Sequence, residues 1–173
     1  VLMADVEQGA SNSLDVGDSV SVFLSLSPYC TVDWANQYCL ELLGTQPWDD
    51  ASEADQEKAL RLATRKIDRL NFLGDKTDSE QRRQFPRGGD TAIPNAIKFA
   101  TVHLAIKLLD GIDPEEELKN FSVTQHKIGP VNTNYMRGKI PDYIQAGIPS
   151  LEAWQYLYPY LRQTDSVRLN RTT

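Results

Sequence analysis

Polar and apolar residues alternate strictly over residues 19–27 (SVSVFLSLS). Val20, Val22, Leu24 and Leu26 fall on one side; Ser19, Ser21, Phe23, Ser25 and Ser27 fall on the other. A period of two over nine residues predicts a strand. No second strand lies within hairpin reach. The strand therefore pairs with a distant strand of its own chain or with another chain, since a lone strand cannot satisfy its own backbone. From residue 31 the period changes to that of a helix. Thr31 is placed to cap a helix over 31–44, with Val32, Ala35, Cys39, Leu42 and Leu43 as its apolar face and Gly44 as its stop. A turn over 45–51 leads to a second helix from Ser52, with Asp55 three residues on in a near capping box. Its stripe is Leu60, Ala63, Ile67 and Leu70. Pro94 opens a third helix that runs to about Asp110. Its wide apolar face marks it as the central core element.

Further on, Asp113-Pro114 followed by three glutamates signals a short helix. Two β-prone runs, 121–128 and 131–136, flank Gly129-Pro130 and predict a small hairpin excursion. After a Pro- and Gly-punctuated segment, Ser150 caps a last helix with Leu151, Trp154, Tyr158 and Leu161 on one side, interrupted at Pro159. The pattern predicts a mainly α fold: a helical bundle core with a small β-hairpin excursion and extended N- and C-terminal arms. The arms are residues 1–27 and 162–173; the helical domain is 28–161, with the hairpin near 121–136. Fully extended, the twelve-residue C-terminal tail spans ~40 Å.

The net charge of −6 is unevenly spread. Residues 1–50 hold eight acids and no Lys or Arg, whereas residues 51–173 hold 18 bases against 16 acids. Such a split suits head-to-tail stacking of subunits, or is solvated surface charge. An acidic chain is a poor sequence-independent binder of phosphate backbones. The polar loop 75–92 places Arg82, Arg83 and Arg87 around Phe85-Pro86. An aromatic among arginines can stack a base or clamp a phosphate. The alternative is a buried Phe85-Pro86 anchor with the arginines in solvent. The loop carries four bases and four acids, so it has no net attraction for phosphate.

Chemistry is conspicuously thin. No Gly-rich phosphate loop, HExxH or GxSxG occurs. Two histidines and two cysteines are too few for a Cys/His metal site, and Cys30 and Cys39 read as free thiols of a reducing cytosol, Cys39 as a packing residue. His103 and His126 have no partner in sequence that would make them catalysts. No apolar run spans a bilayer, and no basic segment followed by an apolar run suggests a secretory leader. These absences point away from an enzyme, from a cofactor and from a membrane.

An ordered series of short stretches carries a likeness. It begins with Tyr29 to Tyr38 (YCTVDWANQY) and Trp48, then Ser52 to Leu60 (SEADQEKAL) and Ala63 to Leu70 (ATRKIDRL). Gly74 to Asp78, Gln84 to Arg87 (QFPR) and Ile93 to Lys98 (IPNAIK) follow, then Gly129 to Val131 through Tyr135 and a closing Tyr158 to Leu161 (YPYL). From Tyr29 to Leu161 the chain resembles the DnaT-like single-stranded-DNA-binding proteins of tailed bacteriophages. The resemblance implies two roles. One is a head–tail adaptor of the virion, made in the host cytoplasm. It would form a homo-oligomeric ring of twelve copies that joins the portal protein to tail proteins, with a possible touch on packaged DNA. The other is a single-stranded-DNA-binding replication protein.

The adaptor role accommodates the polar arms and the unpaired strand. On it the partner-binding residues are Val20, Val22, Leu24 and Leu26 in the strand; Arg82, Arg83, Phe85 and Arg87 in the loop; and Arg162, Arg168 and Arg171 in a basic tail that would dock on an acidic portal. The DNA-binding role needs a basic groove lined by exposed aromatics, and only the loop offers one. A monomeric structural or chaperone-like protein is a third reading that the sequence leaves open.

Overall fold

The structure, a computed structural model, describes residues 27–122, 125–128, 131–134 and 140–162. The stretches 1–26 and 163–173 fall outside it, and with them the predicted strand at 19–27 apart from Ser27. The described chain is mainly helical. Helix α1 is Val32–Cys39, α2 Gln46–Asp49, α3 Glu53–Asp68, α4 Asn95–Leu109 and α5 Pro114–Ser122. Strands β1 (Gln125–Ile128) and β2 (Val131–Asn134) follow, then α6 (Asp142–Gln145), α7 (Leu151–Leu157) and a 3₁₀ turn at Tyr158–Tyr160. The strands pair antiparallel, Gln125 opposite Asn134 and Ile128 opposite Val131. The residues joining them lie outside the described set.

Helix α4 is the axis of the fold. It packs most extensively on α3 and α7 and also meets α2. Ile97, Ala100, Thr101, Val102, Leu104, Ala105 and Ile106 are all buried, more of its circumference than a single amphipathic stripe provides. The two buried threonines in these helices return their hydroxyls to the preceding turn: Thr64 Oγ1 donates to Leu60 O at 2.8 Å and Thr101 Oγ1 to Ile97 O at 2.7 Å. Thr64 Oγ1 also accepts from the Tyr29 N–H at 3.2 Å and so fixes the start of the described chain on α3. Trp48 is 1% exposed; its Nε1–H donates to Asn36 Oδ1 at 2.8 Å, and its carbonyl accepts from Gln56 Nε2 at 2.9 Å. This large side chain enters the core only because its polar edge and backbone find partners.

The caps agree with the pattern. Thr31, Ser52 and Ser150 each accept, through the side-chain oxygen, the N–H three residues on, at 3.2, 3.2 and 3.1 Å. Two helices depart from expectation. The first stops at Cys39 instead of running to 44. Beyond it Glu41 N–H turns back to Tyr38 O and Leu42 N–H to Cys39 O, tightening the chain into turns, and Gly44 at φ +76° reverses it so that Trp48 can reach the core. Leu43, expected to be buried, is consequently fully exposed. The last helix is rotated relative to the predicted face. Ala153 and Leu157 point inward, while Leu151 and Tyr158 are exposed. The small Ala153 lets α7 approach α4, and Pro159 ends the helix in a 3₁₀ turn that swings Leu161 back into the core. There Leu161 bridges Phe72, Leu73 N–H donates to Tyr160 O at 2.8 Å, and Arg162 N–H donates to Asn71 O at 2.9 Å.

Candidate functional site

The loop 75–92 is built inward. The Phe85–Pro86 peptide is cis, and Phe85 is 3% exposed. Its ring meets Phe72 edge-on at 4.7 Å between centroids, Tyr160 at 5.7 Å and Tyr29 at 6.0 Å. Of the two alternatives for this motif, Phe85 is the anchor, and it has no free face for a base. Of the neighbouring arginines, Arg82 is in solvent as that alternative has it, whereas Arg83 and Arg87 are not, which corrects it for those two. Arg83 pairs with Asp68 (Nη1 to Oδ2, 2.8 Å) and donates from Nε and Nη2 to Ser27 O at 3.2 and 2.9 Å. Asp68 in turn accepts a short hydrogen bond from the Tyr29 hydroxyl and one from Gln84 N–H at 3.1 Å.

Arg87 spends its guanidinium on Leu73 O, Gln84 Oε1, Phe72 O and Gly74 O. A loop this irregular leaves carbonyls without ladder partners, and the five donors of arginine are the inexpensive remedy. Arg82 alone of the three is exposed. Arg162 is exposed as well. Val20, Val22, Leu24, Leu26, Arg168 and Arg171 lie outside the described residues.

A different surface gathers the half-buried aromatics. Trp34 and Tyr38 rise from α1, Phe99 and His103 from α4, and Tyr156 from α7. Ring centroids lie 5.5 Å apart for Trp34–Phe99, 4.5 Å for Tyr38–Phe99, 5.5 Å for Phe99–Tyr156 and 5.7 Å for His103–Tyr156, the last pair stacked at 21°. The Tyr38 hydroxyl lies 3.0 Å from His103 Nε2. Lys98 Nζ stands 5.5 Å from the Trp34 ring centre, a cation–π contact. This aromatic ledge carries a shallow hollow of about 200 Å³ lined by Trp34, Gln37, Tyr38, Glu41 and Phe99.

Burial, with a smaller push from Lys107, holds the His103 pKa below its usual value against the opposing pull of Glu152. Burial, then the hydrogen bond with Tyr156, raises that of Tyr38. The ledge is therefore uncharged at neutral pH. Lys98 and Lys107 flank it together with Asp33, Glu41 and Glu152. Trp34 and Lys98 also border a larger cleft of about 710 Å³, whose other walls include Glu53, Glu57, Arg61 and Ile93.

Sequence reasoning passed over this ledge because its five rings come from three helices that are far apart in sequence. The available signal was paired spacing: Trp34/Tyr38 and Phe99/His103 are both i,i+4 pairs. Both thiols are free and buried, and burial pushes Cys30 up to about 12 and Cys39 up to about 11, away from the thiolate form. Among the described residues no group of three or more His, Cys, Asp or Glu could hold a metal ion, and no helix is long and apolar enough to cross a membrane.

A family model described as "Putative DnaT-like ssDNA binding protein" matches residues 18–172. The chain belongs to this family. The family match begins eleven residues before Tyr29 and ends eleven after Leu161. The strand-patterned segment and most of the basic tail thus lie inside the family's extent, not outside it as the resemblance from Tyr29 to Leu161 implied. Both the loop and the aromatic ledge fall within the matched span. No curated protein and no solved structure matches the chain.

Proposed function

We propose that the protein binds single-stranded DNA without catalysing a reaction, and that the aromatic ledge is where bases stack. The ledge carries this reading: five aromatic rings from three helices, half-open to solvent, with a lysine over the outermost. Base–aromatic stacking contributes ~1–3 kcal/mol per base and tolerates any sequence. The family description points to the same class of ligand. Near-balanced charge around the ledge makes this a stacking-dominated site, with Lys98 and one further cation meeting phosphates. The salt slope should therefore be shallow, about −0.7 per phosphate neutralised for one or two phosphates. The test is an anisotropy titration with labelled oligo-dT at several salt concentrations. Trp34→Ala and Phe99→Ala should each weaken binding by roughly 5- to 150-fold, the range set by one stacked base. Saturable binding that these variants leave unchanged, or no binding up to about 10⁻⁴ M, refutes the reading.

A second reading, the head–tail adaptor of a virion, is favoured by the uneven charge, eight acids and no Lys or Arg in residues 1–50 against 18 bases and 16 acids in the rest, which suits head-to-tail stacking; the occupied Arg83 and Arg87 are available to neither DNA nor a portal. On this reading the helices form the bundle platform and the paired strands its excursion. Residues 1–27 and 162–173 reach portal and tail proteins, and twelve copies close a ring at the head–tail junction. Negative-stain imaging of purified portal with and without the protein decides it: added ring mass supports the adaptor, and unaltered portal particles exclude it.

A further inference from the structure

Exposed apolar side chains outside the ledge include Leu73, Leu118, Leu151 and Tyr158, and two further features that complement each other. Leu40 and Leu43, in the turn after α1, are 87% and 101% exposed. Leucines so fully presented, without even the partial cover of Leu42, form a knob. At the start of α3 and the end of α4 lies a groove of about 290 Å³, lined by Asp55, Lys58, Ala59, Leu62, Leu108 and Leu109. Leu62 there is 44% exposed. We infer that the Leu40/Leu43 knob of one copy of this chain seats in the Leu62/Leu108/Leu109 groove of a second copy.

Charge selects a second copy as the occupant. The knob is acidic: Glu41 lies between the leucines, Asp49 ends α2 with Asp50 just after it, and no Lys or Arg precedes Lys58 in the sequence. The charged lining of the groove is Asp55 and Lys58, paired at 2.9 Å; beyond it, Arg65 and Lys66 at i+3 and i+4 from Leu62 extend the same helix face with positive charge and make that side of the rim basic. Acidic knob and basic rim are complementary, which guides docking and rejects the reverse pairing of knob with knob. Because a chain carries one knob and one groove, each contact leaves a knob free on one copy and a groove on the other, unless the same two copies reciprocate. Two leucines and a rim make a small interface, so the association belongs to the weak, concentration-dependent class. The inference is independent of the DNA-binding reading, because none of its leucines belongs to the ledge; of the knob's residues Glu41 also lines the ledge hollow.

Sedimentation velocity of the full chain over a concentration series tests it. Wild type should self-associate reversibly. Leu40→Glu/Leu43→Glu and, separately, Leu62→Glu should each shift the midpoint by at least ~10-fold in concentration, the equivalent of losing one buried leucine. Circular dichroism checks the fold of each variant; the substituted side chains are exposed, so the helices should persist. Mixing the two defective variants leaves one intact knob and one intact groove, and a heterodimer should form. A Glu41→Lys variant should be weakened and partly rescued by a partner carrying Lys58→Glu. A wild type that stays monomeric throughout, variants that associate as wild type does, or a mixture that stays monomeric would overturn the inference. Oligo-dT titration of the leucine variants should give unchanged affinity, which separates failure of this contact from failure of the ledge.

Discussion

Replacing Asp68 by alanine removes the node that ties three distant segments together. Its carboxylate receives Arg83 from the loop, the hydroxyl of Tyr29 from the start of the described chain, and the Gln84 N–H. The pair is well shielded, with side-chain exposures of 16% for Arg83 and 19% for Asp68. Hydrogen bonds to a charged group contribute about 1.5–3 kcal/mol each, but they are not additive here. Arg83 keeps Ser27 O, and the Gln84 N–H keeps the Tyr29 oxygen at 3.2 Å. The group left worst off is the Tyr29 O–H, whose residue is buried. Breaking one partner of a buried pair costs about 3–5 kcal/mol, and the remaining contacts place Asp68→Ala at about 3 kcal/mol. For a chain of this length that lowers the Tm by roughly 6–12 °C. Urea denaturation should show the loss with an unchanged m-value. Asp68→Asn, which keeps an acceptor for Tyr29, should lose about half as much. A double-mutant cycle with Arg83→Ala should return a coupling above ~1 kcal/mol. A coupling near zero, or an Asp68→Ala protein as stable as wild type, would show that the node is decoration.

Two further outcomes follow from the same structure. Folded-state pKa values of Cys30 and Cys39 lie above the ordinary thiol value of 9.0, at about 12 and about 11, so the unfolded chain releases these protons first. Stability should be fully present below pH 9 and fall as pH rises toward 11 and 12, by at most about 1.4 kcal/mol per pH unit for each thiol. Cys30→Ala/Cys39→Ala should flatten that slope in urea melts taken at successive pH values, and an unaltered slope refutes the assignment. Ser150→Ala removes the oxygen that accepts Ala153 N–H at 3.1 Å. It should cost about 1 kcal/mol by urea denaturation, and a loss under ~0.3 kcal/mol would show that water replaces the cap without penalty.

Much of the fold is legible in the sequence because its helices obey local rules. Ser52, Ser150 and Thr31 are side-chain caps, and the density of apolar residues from Ile97 to Leu109 marks the central helix before any packing is known. What misleads is the competition between a local stripe and a distant demand. Leu43 continues the α1 stripe at proper spacing, yet the chain turns early because Trp48 is the larger apolar payload and needs Asn36 for its N–H. The α7 face is ambiguous for a related reason. Leu151, Trp154, Tyr158 and Leu161 form one helical stripe and Ala153 and Leu157 another. Bulk favours the first, but a helix lying close against α4 needs the small side chain inward.

The site was less legible, and the reason bears on what this protein can bind. In one dimension Arg82, Arg83 and Arg87 around an aromatic look like free charge beside a stacking ring. In three dimensions irregular backbone has its own need for donors. Arg87 meets it with contacts to residues 72–74, which no spacing rule connects to position 87, while Arg83 closes on a carboxylate 15 positions away. Charge that serves as a strut cannot also neutralise phosphate without unmaking the loop. On the proposed reading, nucleic-acid affinity then comes from surface that the fold does not already use, and the rings of the ledge qualify because their π-faces ask for nothing from the fold. A stacking surface with little net charge binds weakly and changes little with salt. The slope of affinity against salt concentration is thus the sharper test of this argument than affinity itself: a steep slope would place the working cations elsewhere, in Arg82, Arg162 or the residues beyond.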